Sequence, residues 1–311
     1  MRARIHPHMY ALCYTIYSIF ISPPKERINM TSKKSILANS LQIKPSQLYV
    51  KDLRKVSAYY RDIVGLDALQ STNSHIVLGY DQTPILELIS KPEFTNASIK
   101  SAGLFHNAIV FSSRAALSQA VLNILQKASW SYEGSADHLV SEAFYFHDPE
   151  NNGLELYFDR PREQWQWSGG SIKMDTLYLD PEEYILKNIQ TATTSAKELG
   201  HVHLRVGDVA TARQFYVEQL GFDATLDVGS ALFVSVGGYH HHMAMNTWLS
   251  QGADKRDPSL GLAEIKLILP NDGSIDHLAN RLSINNLSHI QKNNQIYVND
   301  PWNNQLVFTA D

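Results

Sequence analysis

From residue 46 onward, apolar positions recur in one order: a short strand-like run, a helical stripe, then two or three more strands. Leu48-Tyr-Val50 comes first, with Asp52 as a helix N-cap candidate. Leu53, Val56, Tyr59, Tyr60 and Ile63 follow at helical spacing, Gly65 ends the stripe, and residues 76–78 and 85–89 are strand-like. Residues 104–159 run the same course. Residues 105–111 predict a strand, Ser112 and Ser113 are candidate caps, and Leu117, Val121, Ile124 and Leu125 form the helical stripe. Residues 141–146 predict another strand, and Asp148-Pro-Glu-Asn-Asn-Gly153 carries the residues of a tight turn. After it the chain alternates: Leu154, Leu156 and Phe158 on one face, Glu155 and Tyr157 on the other. A mid-strand carboxylate among apolar residues is costly to bury without a partner of opposite charge. Glu155 therefore asks for a cation.

The second half repeats the first. Leu48-Tyr-Val-Lys-Asp52 matches Leu204-Arg-Val-Gly-Asp208 at an offset of 156 residues, and Tyr60, Gly65 and Asp67 meet Tyr216, Gly221 and Asp223 at the same offset. The turn returns as Asp300-Pro-Trp-Asn-Asn304, offset by 152. Two matches at nearly equal offsets indicate a duplication. The fold class expected is α+β, with four βαβββ modules at about 41–95, 102–160, 199–248 and 260–311. The division expected is a first domain at 41–160, a connector at 161–198 in which Trp165 and Trp167 dock, and a second domain at 199–311.

Composition narrows the class. With 44% hydrophobic and 19% charged residues, the 311-residue chain has the makeup of a globular protein with a sizeable core. A net charge of −4 without a long basic run argues against a nucleic-acid surface. The single Cys13 excludes an internal disulfide and cysteine-based zinc sites, and fits a reducing, cytoplasmic compartment. Near the start, Arg2 and Arg4 precede an apolar run at 9–21 that is short for a bilayer. Residues 1–40 are read as a disordered or mis-annotated tail with an uncleaved anchor as the alternative, and no membrane partner is expected.

The modules, with His201-Val-His-Leu-Arg-Val-Gly-Asp208, Phe215-Tyr216 and Leu220-Gly-Phe222, resemble the vicinal oxygen chelate (glyoxalase/bleomycin-resistance/extradiol dioxygenase) superfamily. Asp137-His-Leu-Val-Ser-Glu-Ala143, Asn152-Gly-Leu-Glu-Leu-Tyr-Phe-Asp-Arg-Pro161 and Gly237-Gly-Tyr-His-His-His-Met-Ala-Met-Asn-Thr-Trp248 resemble its catechol-2,3-dioxygenase branch. The resemblance covers about 41–311. It implies two domains of curved, mostly antiparallel sheets around a cleft, and a metal-dependent reaction there.

The repeat serves as an internal control on metal ligands. The first strands of modules 2 and 3 offer His106 and His201, whereas module 1 has Pro45 opposite His201 and module 4 has no histidine in Ala263-Glu-Ile-Lys-Leu-Ile-Leu269. Val307 stands opposite Glu155. The expected site is therefore His106, Glu155 and His201, which requires modules 2 and 3 to share one cleft. In the branch it resembles, modules 3 and 4 supply all the ligands. A lone strand histidine is ordinarily a satisfied polar residue, and Glu155 has an ordinary surface-strand alternative; the motif and repeat position favour ligation. His203, on the same strand face as His201, either replaces it or lines the pocket.

Two histidines and one carboxylate leave coordination positions open and suit non-haem Fe(II), with Mn as the alternative. The resemblance then implies ring cleavage of a catechol-type aromatic diol by O2. His138, His240 and His242 are the candidate acid–base residues, in no fixed order. His240 and His242 are placed on the cleft face with Asn246, and His241 on the packing face, a reading that a slip of one residue reverses. Tyr145, Tyr157, His203 and Asn246 are candidate substrate contacts. A polar strand rim is the plainer reading of the His triplet, and a loop histidine without a role that of His138; the two tyrosines could equally bury their rings alone. A homo-oligomer is compatible with the sequence. The alternatives are a glyoxalase-like metal-dependent isomerase, lyase or transferase, and a metal-free small-ligand-binding resistance protein.

Overall fold

The computed structural model describes residues 37, 40–189 and 197–310. The apolar run at 9–21 and Cys13 lie outside these residues. Module 1 comprises β1 (Gln42–Val50), α1 (Leu53–Ala58) continued by a π-helical turn (Tyr59–Val64), β2 (Asp67–Ser71), β3 (His75–Tyr80) and β4 (Thr83–Ser90). Module 2 comprises β5 (Gly103–Phe111), α2 (Arg114–Lys127), β6 (Tyr132–Asp137), β7 (Ser141–His147) and β8 (Gly153–Asp159). The connector holds a short hairpin, β9 (Trp167–Ser168) and β10 (Ser171–Ile172), then β11 (Leu177–Tyr178) and α3 (Pro181–Asn188). Module 3 is β12 (Lys197–Arg205), α4 (Val209–Arg213) with a π-helical turn (Gln214–Leu220), β13 (Asp223–Asp227), β14 (Ala231–Ser235) and β15 (Met243–Asn246). Module 4 is β16 (Gly261–Leu269), α5 (Asp272–Ile284), β17 (His289–Lys292), β18 (Gln295–Asn299) and β19 (Gln305–Ala310).

The anticipated local chemistry is in place. Asp52, Ser113 and Asp208 each cap a helix by accepting from a backbone N–H three residues on. Leu117, Val121 and Ile124 are fully buried along α2.

The sheets do not follow the sequence halves. One sheet runs β11-β6-β7-β8-β5-β12-β15-β14-β13, joining modules 2 and 3; the other runs β17-β18-β19-β16-β1-β4-β3-β2, joining modules 4 and 1. The reason lies in the first strand of each module, which would otherwise be an unpaired edge. β5 pairs antiparallel with β12, placing His106 beside His203, and β1 pairs antiparallel with β16. The division expected at 41–160 and 199–311 is thus crossed by backbone pairing. What ties each half together is side-chain docking. Tyr60 Oη donates to Asp148 Oδ2 at 3.3 Å, and its repeat counterpart Tyr216 donates to Asp300 Oδ2 at 3.0 Å. The connector belongs to the inner sheet of modules 2 and 3: β11 pairs with β6, and Trp165 is buried with Val140 and Ile172. Trp167, expected to dock, is 44% exposed.

Candidate metal centre

Three adjacent strands of the inner sheet, β8, β5 and β12, bring His106, Glu155 and His201 together. Ala108 on β5 lies opposite Glu155 on one side and His201 on the other, so a methyl group separates them in register. At Gly200 the register of β12 shifts by one residue against β5, a bulge that re-aims the side chain after it. That residue must be glycine, since a Cβ there would lie 1.8 Å from the Tyr157 hydroxyl.

All three side chains are buried, at 2–4% exposure. His106 Nε2 lies 2.9 Å and His201 Nε2 3.2 Å from Glu155 Oε2. One ligand atom from each residue falls within 4.8 Å of the others. His106 Nε2 is outside hydrogen-bonding angles with Glu155 and meets it as a 2.9 Å ion-pair contact, while His201 Nδ1 has no hydrogen-bond partner. Burial alone would raise the Glu155 carboxyl, but the facing His201 and His106 outweigh it and hold it well below the usual range. Burial likewise keeps His201 below the ordinary histidine value, against the pull of Glu155. The donor set is thus one carboxylate and two imidazoles, and it fits a divalent transition metal.

The cluster forms part of the wall of a cavity of about 120 Å3 that His138, Tyr145, His203, His241, Phe233 and Trp248 also line. Met174, Asp175 and Thr176 of the connector close one side. His138 and Tyr145 are a bonded pair. The Asp175 carbonyl, 2.7 Å from His138 Nδ1, fixes the proton there, so Nε2 accepts from the Tyr145 hydroxyl at 2.6 Å.

His203 lines the cavity, but its ring nitrogen is committed. Asn246 Oδ1 accepts from the Trp248 N–H, which orients the amide so that Nδ2 donates to His203 Nε2 at 3.0 Å. Burial, with His106 and His201 nearby, pushes His203 well below the usual histidine range. Asn246 is thus a partner of His203, not a wall of the cavity.

Three placements are corrected. His240 and His242 do not face the cavity; His241 does. The triplet is not strand but the loop entering β15, after a turn in which Gly237 and Gly238 both have positive φ, so alternation does not apply. His242 instead accepts from the Val236 N–H at 3.3 Å. Tyr157 does not offer its hydroxyl to the cavity: the ring packs against His201 and the hydroxyl meets that of Tyr239 at 2.8 Å.

Sequence reasoning missed a hydrogen-bonded chain behind His241. His241 Nδ1 is 2.7 Å from His240 Nδ1, and His240 Nε2 is 2.7 Å from Asp159 Oδ1, whose side chain is 25% exposed. Tyr239 donates to the other oxygen of Asp159 at 2.8 Å. The adjacent histidines and the Asp159-Arg-Pro161 end of the quoted motif carried the signal, but nothing in the sequence joined them.

Comparison with known proteins agrees with this fold. The family model for the Glyoxalase/Bleomycin resistance protein/Dioxygenase superfamily matches residues 198–308. The chain is 33% identical over 265 residues to the catechol-2,3-dioxygenase of Bacillus subtilis (strain 168), spanning 82% of this chain and 92% of that protein. This chain belongs to that superfamily. Among solved structures, one from Bacillus subtilis superposes with a TM-score of 0.63 at 12% identity, covering 90% of this chain and 86% of that one. Glyoxalase I from Zea mays superposes with a TM-score of 0.51 at 16% identity, covering 87% and 92%. Both likenesses concern the fold. Among the described residues no helix is long and apolar enough to cross a membrane.

Proposed function

We propose that the protein is a metal-dependent dioxygenase that cleaves a small catechol-type diol with O2, its metal held by His106, Glu155 and His201. The observation that carries this reading is the buried His106–Glu155–His201 cluster in the cavity wall, which offers one ligand atom from each residue. The relative at 33% identity bears the name catechol-2,3-dioxygenase, which favours the same reaction over the other chemistries of the superfamily. When bound, a redox-active metal such as Fe(II), with Mn as the alternative, supplies the open coordination face on which a diol and O2 meet.

The chain's own residues then account for proton handling. Asp159 accepts from His240 Nε2–H, which leaves His240 Nδ1 as an acceptor and makes His241 Nδ1 the donor of the bond between them. The His241 Nε2 therefore bears a bare lone pair. Burial, then the neighbouring His201 and His240, push His241 well below the ordinary histidine range, so it rests neutral with that lone pair toward the cavity. Its proton is passed on by relay through His240 to the partly exposed Asp159. Tyr145, held by His138, is placed to bond a ring oxygen. Phe233 and Trp248 give the ring an apolar wall that keeps water out.

The test is anaerobic purification followed by metal analysis and oxygen uptake with catechol. Iron or manganese at near stoichiometry, with uptake that begins on adding the diol, is the expected result. Zinc or nickel without uptake overturns the reading and favours a glyoxalase-like reaction. A preparation that takes up no metal at all points to a ligand-binding protein.

A further inference from the structure

A larger cavity, about 890 Å3, opens beyond Phe105 and shares only His106 and Tyr145 with the metal-centre cavity. Its volume is that of a small-molecule site. Phe105 divides the two, its ring 4.9 Å from that of His203 and 5.5 Å from that of Trp248. The strand that bears His201 continues into the larger cavity. His201, His203 and Arg205 alternate along β12 and share one face, so Arg205 lies about 13 Å of strand beyond His201.

Two guanidinium groups line the larger cavity, those of Arg205 and Arg256. Burial, and then the charge of Arg256, lower the Arg205 value; burial lowers that of Arg256 as well. Among the described residues, neither forms an ion pair with a carboxylate. Arg205 donates to the Ile99 carbonyl at 3.2 Å, and its buried Nε has no partner. Arg256 donates to the Asn304 side chain at 3.1 Å and to the Leu262 carbonyl, both neutral. The two acids on the wall are engaged elsewhere: Glu150 accepts from the backbone of Lys51 and Asp52, and Glu133 pairs with His147. Asp300, which acts on Arg256 from a distance, has its oxygens filled by Asn304, Trp302 and Tyr216. Two half-buried guanidinium groups on one cavity wall, bonded only to neutral acceptors among the described residues, form a receptor for an oxyanion. The rim supplies the other half of the recognition. Ile99, Trp130 and Leu249 are 61%, 53% and 37% exposed and all line this cavity.

We propose that this cavity is a second binding site, taking an amphipathic oxyanion: a carboxylate or phosphate carried on an apolar body. Arg205 and Arg256 hold the charge, and Trp130, Leu249 and Ile99 cover the body. The site does not depend on the reaction proposed for the metal centre.

Isothermal titration of the full chain with 2-naphthoate, 2-naphthyl phosphate and the neutral 2-naphthylmethanol tests it. None of the probes has adjacent oxygens, and the titration is repeated after the metal is stripped with chelator, so the outcome is separate from the dioxygenase reading. At least one anion is expected to bind about tenfold to a hundredfold more tightly than the alcohol, with or without metal. The anion that binds more tightly identifies the carboxylate or phosphate source. Arg205→Gln should abolish the preference and Arg205→Lys retain part of it, both with an unchanged melting temperature. The proposal is overturned if the alcohol binds as well as both anions, if no probe saturates, or if Arg205→Gln leaves the preference intact. Binding seen only with metal present overturns it equally.

Discussion

The two sheets are the same construction with different contents, and the difference isolates what sets the candidate metal centre apart. In the inner sheet Ala108 lies between Glu155 and His201, and His106 lies opposite His203. In the outer sheet the matching strand is β16, where Lys266 lies opposite Val307 and Glu264 lies opposite Gln47. Lys266 stands where Ala108 does, and its ammonium supplies the cation: it reaches Glu87 at 3.1 Å and Glu264 at 3.9 Å, while Gln47 donates to Glu87 at 2.6 Å. The outer sheet closes its polar face with a tethered positive charge. The inner sheet has a methyl group at that position and leaves a carboxylate between two imidazoles. The βαβββ plan folds with either content, so the Glu155 cluster is not demanded by the architecture.

The largest expected effect comes from copying the outer sheet into the inner one. Glu155→Val, which reproduces Val307, should lose bound metal and reduce activity by more than about a hundredfold, since disturbing only the partners of metal ligands costs roughly 10–100-fold. Its metal-free melting temperature should fall, because the buried His106 and His201 lose the carboxylate they face. Metal analysis and thermal unfolding read both. A Glu155→Val protein that keeps its metal would sink the assignment; one that cannot fold would show that the two sheets are not equivalent.

A smaller effect is expected along the chain that only the inner sheet carries. Asp159→Asn leaves every ligand in place but presents an amide to His240 Nε2, which favours the opposite tautomer and turns the proton on His241 the wrong way. The expected loss is in kcat, about 10²–10⁴-fold as for removal of a general base, with metal content and melting temperature retained. Loss of metal alongside kcat would instead mean that Asp159 supports His201 structurally.

Much of this was legible in the sequence, and the boundary is physical. Duplication pointed to the four modules, and Pro45 and Val307 marked modules 1 and 4 as lacking the candidate ligands, so modules 2 and 3 were expected to share a cleft. That expectation rested on residue identity at matched positions, and the structure pairs those modules and brings the three side chains together. The face of the His240–His242 triplet was misread because it rests on strand periodicity, which the Gly237-Gly238 turn cancels. Tyr157 was correctly placed on the face of Glu155, yet alternation fixes a side chain's direction and not where its hydroxyl ends. The crosswise sheets and the connector's part in the cavity wall are long-range pairings that no local pattern encodes. Tyr60 with Tyr216, and Asp148 with Asp300, were found as matching pairs, but that each tyrosine holds the next module's aspartate emerged only in three dimensions.

Those aspartates give the smallest and most specific test of the repeat. Asp148 accepts from the Glu150 and Asn152 N–H groups and from the Asn152 amide, and Asp300 accepts from Trp302 and Asn304 in the same way. Burial pushes the Asp148 carboxyl up to about 6 in spite of these donors, and it raises Asp300 as well. A carboxyl raised on folding holds its proton in the native state at pH values where the unfolded chain has released it. Stability from Asp148 is therefore present below its unfolded value and declines as pH rises from about 4 through about 6, by roughly 3 kcal/mol in all. Asp148→Asn loses the bonds that Oδ2 accepts from the Asn152 amide and the Tyr60 hydroxyl at every pH but has no such slope. Its deficit against the parent, measured by urea unfolding of metal-stripped protein, should shrink between about pH 4 and about pH 7, and Asp300→Asn should follow the same sign. A deficit that widens with rising pH would mean that the N–H donors outweigh burial, and that these turns are built to hold a charge rather than a proton.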